Sequence, residues 1–319
     1  MVGRPLPVVT AHGIRKQAQW HTNCLRRVIN ARKSCELKTV EFRVPRRKLS
    51  PVEEVRFTIL ASGSSGNAAY LETPGARLLL DCGISARRIR EGLLAQDRTP
   101  ERLDGIFITH EHSDHVQGLR VLAQKARLPI YCNRHTAEEI RRIHKCDFEF
   151  RLFETGHTVE IGDLTVETFP VPHDAVDPVG FLLHTSAARI GFLTDLGQGT
   201  RLIADRIRPA EVLVLETNHD VDLLNNDPHR PWQLKQRILS RHGHLSNEGA
   251  AEFLEQFIEP HLRHIYCAHL SRDCNQPDLA RAEIERKLTA IGAEGVTVHT
   301  TDATVPCTTL ALPVRALTH

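Results

Sequence analysis

Short apolar runs separated by turn residues dominate the chain from residue 56 onward. Three short strands are predicted at Arg56–Ala61, Ala68–Glu72 and Arg77–Asp81, because a Gly/Ser loop and a Pro-Gly turn separate these runs. Further strands are predicted at Asp104–Thr109, Phe148–Phe153, Thr158–Ile161, Leu164–Val171, Gly180–Thr185, Arg189–Thr194, Glu211–Thr217, His264–Ala268 and Val296–Thr300. Helical spacing predicts helices at Ser85–Gln96, Val116–Ala126, Thr136–His144, Trp232–Arg241, Asn247–Ile258 and Asp278–Ile291. Because the strands form two groups, each with helices available to cover it, we predict an α/β sandwich of two sheets flanked by helices.

The composition is that of an ordinary globular protein. Of the 319 residues, 41% are hydrophobic and 25% are charged, and no apolar run approaches the length of a membrane span. The eight cysteines form no CxxC pair, which favours reduced thiols over a disulfide framework or a zinc ribbon. No signal-peptide pattern follows Met1. We therefore expect a cytoplasmic protein that makes no membrane contact.

Charge is distributed unevenly along the chain. Residues 1–50 contain twelve Lys and Arg against two Glu, whereas the remainder contains 29 basic and 37 acidic residues. Three interpretations of the basic segment stay open: a nucleic-acid-binding arm, an organelle transit peptide, or residues that are not normally translated. We favour a disordered or non-native extension at residues 1–51, followed by a single catalytic domain at residues 52–319.

The stretch FITHEHSDHVQG (107–118) concentrates metal-binding side chains. His110, His112, Asp114 and His115 lie within six positions of one another. In an extended loop alternate side chains point the same way, so His110 and His112 can converge on one cation while Asp114 and His115 turn towards a second. Imidazole and carboxylate ligands suit zinc, manganese or iron. The alternative is a solvated loop that is rich in histidine by chance. Metal binding explains a cluster this dense, with both histidine and aspartate, better than that alternative.

Three further donors stand where a predicted strand meets a loop. His173 follows TFPVP, Asp195 ends IGFLTD, and His269 ends HIYCAH. Each one alone is compatible with an ordinary polar residue at a strand end. Four ligands in the first cluster do not complete two metal sites, however, and these three residues would complete them.

This arrangement of donors resembles the metallo-β-lactamase fold superfamily, over about Val55 to Val305. The resemblance implies an αββα sandwich with a dinuclear metal site at one edge. By that resemblance His110, His112 and His173 hold one divalent ion, Asp114, His115 and His269 hold the other, and Asp195 bridges them. Asp81, in LLLDCG, matches an aspartate that orients the histidine loop without binding metal. A hydroxide shared by the two ions would be the nucleophile, with Asp114 and Asp195 among the catalytic residues.

Four local segments narrow the resemblance to the YycJ (WalJ) branch of that superfamily. They are LASGSSGN (60–67), ETNHD (216–220), RPWQLKQRILSRHGHLSN (230–247) and AHLSRDCN (268–275). The resemblance implies a 5′-to-3′ exonuclease that acts on double-stranded DNA. The alternative is a small-molecule metallo-hydrolase, either a cyclic-phosphate phosphodiesterase or a thioesterase. A regulatory protein with a vestigial site is disfavoured because the whole ligand set is present, and a homodimer stays an open option.

The segments that accompany the metal ligands suggest residues for substrate contact. The SGSSG loop is a tight turn or part of the substrate mouth, where Ser64 and Asn67 would contact substrate. Arg230, Lys235, Arg237 and Arg241 form a basic helical segment that is either a solvated face or a phosphate-binding surface. His219 and His244 are candidates for leaving-group protonation. Trp232 is expected to pack in the core after Pro231, with base stacking as the alternative.

Overall fold

Two mixed β-sheets pack face to face, and helices cover the outer face of each. The computed structural model describes residues 39–41 and 54–314, so the predicted basic extension at 1–51 lies outside the described residues apart from Thr39–Glu41. Side chains from both sheets form one shared core, and two further cores lie between the sheets and the helices. The predicted αββα sandwich is confirmed.

The first sheet has seven strands. In chain order they are β2 (Glu54–Ala61), β3 (Ala68–Glu72), β4 (Arg77–Leu80), β5 (Gly105–Phe107), β6 (Ile130–Asn133), β7 (Phe150–Phe153) and β15 (Leu310–Pro313). Their spatial order is β15-β2-β3-β4-β5-β6-β7. Pairing is antiparallel from β15 to β4 and parallel from β4 to β7.

The second sheet has eight strands. They are β1 (Thr39–Glu41), β8 (Thr158–Ile161), β9 (Leu164–Pro170), β10 (Val179–His184), β11 (Arg189–Leu193), β12 (Val212–Glu216), β13 (His264–Ala268) and β14 (Thr297–Thr300), in that spatial order. Strands β8 to β11 are antiparallel neighbours, and β11 to β14 are parallel. The carboxyl ends of these parallel strands therefore meet at one edge of the sheet.

Alternating side chains explain why both faces of each sheet are buried. On β12, Val212 and Val214 enter the core between the sheets, whereas Leu213 and Leu215 pack against helices. Aromatic rings join the two sheets across that core: the ring centroids of Phe107 and Phe181 lie 5.7 Å apart, edge to face. A continuous apolar strand such as β12 is thus covered on both sides.

Nine α-helices accompany the sheets in the described part of the chain, and none is long and apolar enough to cross a membrane. Helices α1 (Ala86–Leu94), α2 (Ser113–Val116), α3 (Leu119–Ala126) and α4 (Arg134–His144) cover the first sheet. Helices α5 (Arg201–Ile207), α8 (Asn247–Leu254) and α9 (Pro277–Ala290) cover the second sheet. Helices α6 (Val221–Asn226) and α7 (Trp232–Ile238) lie in the segment between β12 and α8.

The sequence pattern missed several short elements. It predicted neither α5 nor α6, nor strands β6 and β15, because runs of four to seven residues carry too few periods to be recognised. The helix predicted at Val116–Ala126 is observed as α3 from Leu119 onward, and a break separates it from the unpredicted α2, which ends at Val116. Gly118 lies at the break, where a Cβ atom would come within 2.2 Å of the Ile84 carbonyl oxygen.

A tight contact at the end of β4 fixes the histidine loop. The Asn67 N–H donates to the Asp114 carbonyl oxygen at 2.8 Å, and the Gly83 N–H donates to the Asn67 carbonyl oxygen at 2.7 Å. A Cβ atom on Gly83 would come within 1.5 Å of the Asp114 carbonyl oxygen. Since this clash is with backbone, a side chain at position 83 must displace the loop that carries Asp114 and His115.

We therefore predict that Gly83→Ala lowers the free energy of unfolding by at least about 1–3 kcal/mol, the usual cost of overpacking, and weakens metal binding. Gly295→Ala is the matched control, because a Cβ there would meet nothing within 4 Å. Urea denaturation and metal titration of both variants measure the two effects. Equal stability and equal metal affinity of the two variants would contradict this account of the loop.

Candidate metal centre

Three side chains of the centre follow strands of the sheets in an unusual backbone conformation. Asp81, Asp195 and His269 follow β4, β11 and β13, with φ angles of 58°, 55° and 56°. A residue with a Cβ atom in this left-handed region costs about 1–2 kcal/mol, so the surrounding structure must hold it there. The turn at each position brings a polar side chain across the end of its own strand. Three of the six non-glycine residues with a positive φ in the described part of the chain therefore lie at this centre.

The first donor group consists of His110, His112 and His173. His173 Nε2 lies 3.2 Å from His112 Nδ1, while His173 Nδ1 lies 2.9 Å from the Gly243 carbonyl oxygen. That carbonyl can only accept a hydrogen bond, so Nδ1 carries the proton and Nε2 is left as a lone-pair donor. Burial holds the pKa of His110 well below its ordinary value. Neutral imidazoles of this kind are the form in which histidine binds metal.

The second donor group consists of Asp114, His115, Asp195 and His269. His115 Nε2 lies 2.9 Å from Asp195 Oδ2, and His269 Nε2 lies 3.2 Å from Asp114 Oδ2. The other oxygen of Asp195, Oδ1, lies 3.5 Å from His173 Nε2 and 3.6 Å from His269 Nε2. Asp195 therefore stands between the two groups, with an oxygen close to donors of each.

Asp81 forms hydrogen bonds to the histidine loop on the side away from the other donors. Its Oδ2 lies 2.8 Å from His115 Nδ1, and its Oδ1 accepts the Thr109 N–H at 2.8 Å. Burial alone would lower the pKa of His115, but Asp195 and Asp81 outweigh burial and raise it well above its ordinary value. The carboxylate of Asp81 thus fixes the orientation of the His115 ring and leaves its Nε2 facing the other donors.

Glu216, at the end of β12, is a part of the centre that the sequence analysis missed. Its fully buried Oε1 lies 2.8 Å from Nδ1 of both His269 and His244, and its Oε2 accepts the N–H groups of Leu196 and Leu245. Burial raises the pKa of Glu216, but the two histidines outweigh burial and hold the pKa below its ordinary value. The signal was present in VLVLETNHD, where an acidic residue ends an apolar strand just as Asp195 does.

The side chains of the two donor groups and Glu216 are suited to binding metal ions. Among the described residues, Asp114, Asp195 and Glu216 form ion pairs with imidazoles alone. His110 Nε2 is buried with no hydrogen-bond partner in the described part of the chain. Buried carboxylates and unpartnered ring nitrogens are costly unless a cation satisfies them.

A pocket of about 370 Å³ opens over the donors. Of the residues predicted to contact substrate, Ser64, Arg230 and Arg237 line it, as does His244. The Arg237 guanidinium forms an ion pair with Asp174, the residue after His173. The pocket therefore has metal-binding side chains at its floor and a cation on its wall.

The structure places the other predicted substrate residues elsewhere. Asn67 is buried, and its Oδ1 accepts hydrogen bonds from the Ser62 hydroxyl and the Gly63 N–H, so it shapes the Gly/Ser loop. Lys235 is only 7% exposed, and its Nζ donates to the Asn225 carbonyl oxygen at 2.7 Å. Arg241 is exposed but does not line the pocket. Lys235 and Asn67 therefore act within the chain.

His219 also lies outside the pocket lining. Its ring is buried, and neither nitrogen has a hydrogen-bond partner in the described residues. Burial lowers the pKa of His219 to about 4, so its ring stays neutral at neutral pH. Of the two histidines proposed for proton transfer, His244 is the one that reaches the pocket.

Comparison with known proteins decides the family. A family model described as a β-lactamase superfamily domain matches residues 76–265, more than half of the chain. The chain belongs to the β-lactamase superfamily. Within this superfamily it is 37% identical to a Bacillus anthracis protein named exodeoxyribonuclease YycJ, over 258 residues that cover 79% of this chain and 97% of that one. It is 40% identical to a Streptococcus pneumoniae protein named exodeoxyribonuclease WalJ, over 237 residues that cover 73% and 88% of the two chains.

The solved structures agree on the fold of this superfamily. The metallo-β-lactamase fold protein YhfI from Bacillus subtilis matches with a TM-score of 0.61 at 16% identity, covering 80% of this chain and 99% of that one. The resemblance expected from the sequence, to this superfamily and its YycJ (WalJ) branch, is thus confirmed. The β-lactamase superfamily member described here is a metal-dependent hydrolase.

We predict that Glu216→Gln lowers metal affinity by about 10- to 100-fold, the usual effect of losing a partner that orients a metal ligand. The amide keeps the size of the side chain but cannot offer His269 and His244 the same charged acceptor. Glu72→Gln is the matched control, since Glu72 is equally buried but pairs with Arg77 and Arg98. Metal titration by calorimetry measures both, and equal affinities would rule out this role for Glu216.

Proposed function

We propose that this protein is a two-metal phosphodiesterase, specifically a 5′-to-3′ exonuclease that acts on double-stranded DNA. The observation that carries the proposal is the donor set below a pocket with an arginine on its wall. Seven side chains form two groups that could each hold a metal ion, and a third, overlapping group adds Glu216 and His244 to Asp195 and His269. The relatives that are 37% and 40% identical bear the name exodeoxyribonuclease, which supports the choice of nucleic acid as substrate.

Each donor group would hold one divalent ion, with zinc or manganese favoured and iron also compatible with the ligands. His110, His112 and His173 would bind the first ion, Asp114, His115 and His269 the second, and Asp195 both. When bound, two such ions supply a nucleophile at neutral pH and stabilise charge on the attacked phosphate. No Ser or Cys nucleophile from the chain is then needed.

Arg237 is the cation best placed to meet the substrate phosphate. Its side chain is 61% exposed and lines the pocket, where it pairs with Asp174. Arg230 also lines the pocket, but it is only 20% exposed and pairs with both Asp227 and Asp273. Because a phosphate can replace one carboxylate more readily than two, we assign phosphate contact to Arg237 and a structural role to Arg230.

His244 would protonate the leaving oxygen. Its Nδ1 lies 2.8 Å from Glu216 Oε1, which leaves Nε2 as the nitrogen that can reach a substrate. Burial lowers the pKa of His244, but Glu216 outweighs burial and raises it above its ordinary value. The charged partner therefore keeps a proton on a ring that lines the pocket.

One observation favours the second candidate, a small-molecule phosphodiesterase or thioesterase. The pocket volume of about 370 Å³ lies at the low end of the range for small-ligand sites. A pocket of this size also suits an exonuclease that admits one terminal nucleotide at a time. The two candidate functions therefore share the metal centre and differ in whether the substrate extends beyond the pocket, as DNA does and a small molecule does not.

We predict that the purified full-length chain with added Mn²⁺ shortens end-labelled linear duplex DNA stepwise from its 5′ ends. Asp195→Ala should abolish this activity, because Asp195 belongs to the second donor group and also has an oxygen close to His173 of the first. This variant is therefore the control for a contaminating nuclease. Turnover of an aryl phosphodiester or thioester without any cleavage of DNA would instead establish the small-molecule function.

We predict that His244→Gln slows DNA cleavage by about 10²- to 10⁴-fold, the range for loss of a general acid. The same variant should hydrolyse bis(p-nitrophenyl) phosphate at close to the wild-type rate, because nitrophenolate leaves without a proton. The paired rate measurements separate proton transfer from metal binding. An equal loss on both substrates would show that His244 serves the metal centre instead.

A further inference from the structure

A solvent-exposed segment joins β12 to His244 beside the pocket. Of the 22 residues from Val221 to His242, two are buried, Leu224 and Lys235. Helix α7 lies within this segment and is held by Lys235, whose Nζ reaches the Asn225 carbonyl oxygen. The segment thus presents most of its side chains to solvent at the mouth of the proposed active site.

Trp232, the first residue of α7, is 60% exposed. The prediction of a core tryptophan is wrong, because Pro231 begins a helix that packs through Lys235 instead. Tryptophan is highly buried on average, so a largely exposed ring beside an active site indicates a binding surface. Leu239, just beyond the helix, is 42% exposed but has no aromatic ring that could stack on a base.

Helix geometry defines where the ring lies relative to the pocket. Leu234, Arg237 and Ile238 share one side of α7 and line the pocket. At 100° per residue, Trp232 and Leu239 fall on the opposite flank. The ring is therefore separated from the pocket wall by about one helix diameter, roughly 10 Å. That distance is on the order of three nucleotides at the stacked rise of 3.4 Å per strand.

Charge indicates which partner fits this surface. The segment 221–242 contains four Lys and Arg and two Asp, whereas residues 52–319 as a whole contain 29 basic and 37 acidic residues. Lys235 is buried and Arg230 pairs with Asp227 and Asp273, so the exposed cations of the segment are Arg237 and Arg241. A second copy of the chain on this surface would place its own Arg237 and Arg241 against the same two cations, which is repulsive. An anionic strand is attracted to the cations, and its bases provide flat apolar faces for an indole.

We propose that Trp232 stacks on an unpaired base of the substrate strand, a few nucleotides away from the scissile phosphate. This inference rests on the proposed nuclease function and adds a requirement to it. The pocket admits about one nucleotide, so the strand that is cleaved must separate from its complementary strand before it crosses α7. A base that is no longer paired then exposes one face to the indole ring of Trp232. Stacking of this kind is independent of sequence and sets affinity for the strand, not the rate of bond cleavage.

The test measures KM and kcat of the full chain on duplex DNA. Trp232→Ala raises KM by about 5- to 150-fold, the range expected for loss of one base–aromatic stack, while Trp232→Phe retains part of the affinity. Leu239→Ala, the matched control from the same flank, leaves KM unchanged. Hydrolysis of bis(p-nitrophenyl) phosphate stays at the wild-type rate in all three variants, which shows that the metal centre is intact.

Fluorescence reports the contact directly. Trp20 and Trp232 are the two tryptophans of the chain, so Trp20→Phe leaves Trp232 as the sole indole emitter. In this variant, combined with Asp195→Ala to prevent cleavage, single-stranded oligothymidylate quenches the indole emission, and a 5′ overhang quenches it more than a blunt duplex end.

The outcomes separate the two proposals. Wild-type protein that fails to cleave DNA overturns the nuclease function and this inference together. Wild-type protein that cleaves DNA, with an unchanged KM in Trp232→Ala and no quenching, overturns the stacking inference alone. Sedimentation provides a third outcome: the wild-type protein is a dimer, Trp232→Ala and Leu239→Ala are both monomers, and KM is unchanged. This result also overturns the stacking inference and assigns this side of α7 to contact with a second copy of the chain.

Discussion

The structure depends on the burial of several carboxylates at one edge of the sandwich. Asp81, Asp195 and Glu216 are buried, Asp114 is partly buried, and the four carboxylates lie close to five imidazoles. Burying such groups is tolerable only where positive charge and hydrogen bonds compensate. Asp81 and Glu216 each accept from a histidine ring on the side away from the pocket. The nitrogens on the pocket side are thereby left for a cation. The same arrangement that stabilises the buried acids also creates the metal site.

The fold supplies this arrangement through its parallel strand ends. Strands β11, β12 and β13 each deliver an acidic residue or a histidine to the same edge, and the turn after β4 delivers Asp81. The left-handed conformation at Asp81, Asp195 and His269 costs energy that the surrounding hydrogen bonds must offset. Folding and metal binding are coupled as a result, since an ion that binds only the folded chain stabilises it.

The residues of the metal centre could be predicted from the sequence where the signal lies in neighbouring residues. The donors from His110 to His115 are adjacent in the chain, and Asp195 and His269 are recognisable because each follows an apolar strand. Glu216 carried the same signal but was used only as part of the segment ETNHD that supports the family resemblance, because the partner that makes it important, His269, is 53 residues away. Charge alone misassigned Lys235, since nothing in the sequence shows that a carbonyl oxygen of its own chain binds its ammonium group. Trp232 was misassigned for the same reason: exposure depends on what packs against α7.

The central proposal is that the chain would hold two divalent ions, with Asp195 close to both. Metal-stripped full-length protein, titrated with Zn²⁺ or Mn²⁺ and then crystallised, gives the stoichiometry and, from anomalous scattering, the positions of the ions. We predict two ions per chain, one near His110, His112 and His173 and the other near Asp114, His115 and His269. A single ion per chain, or ions bound away from these side chains, would contradict the account.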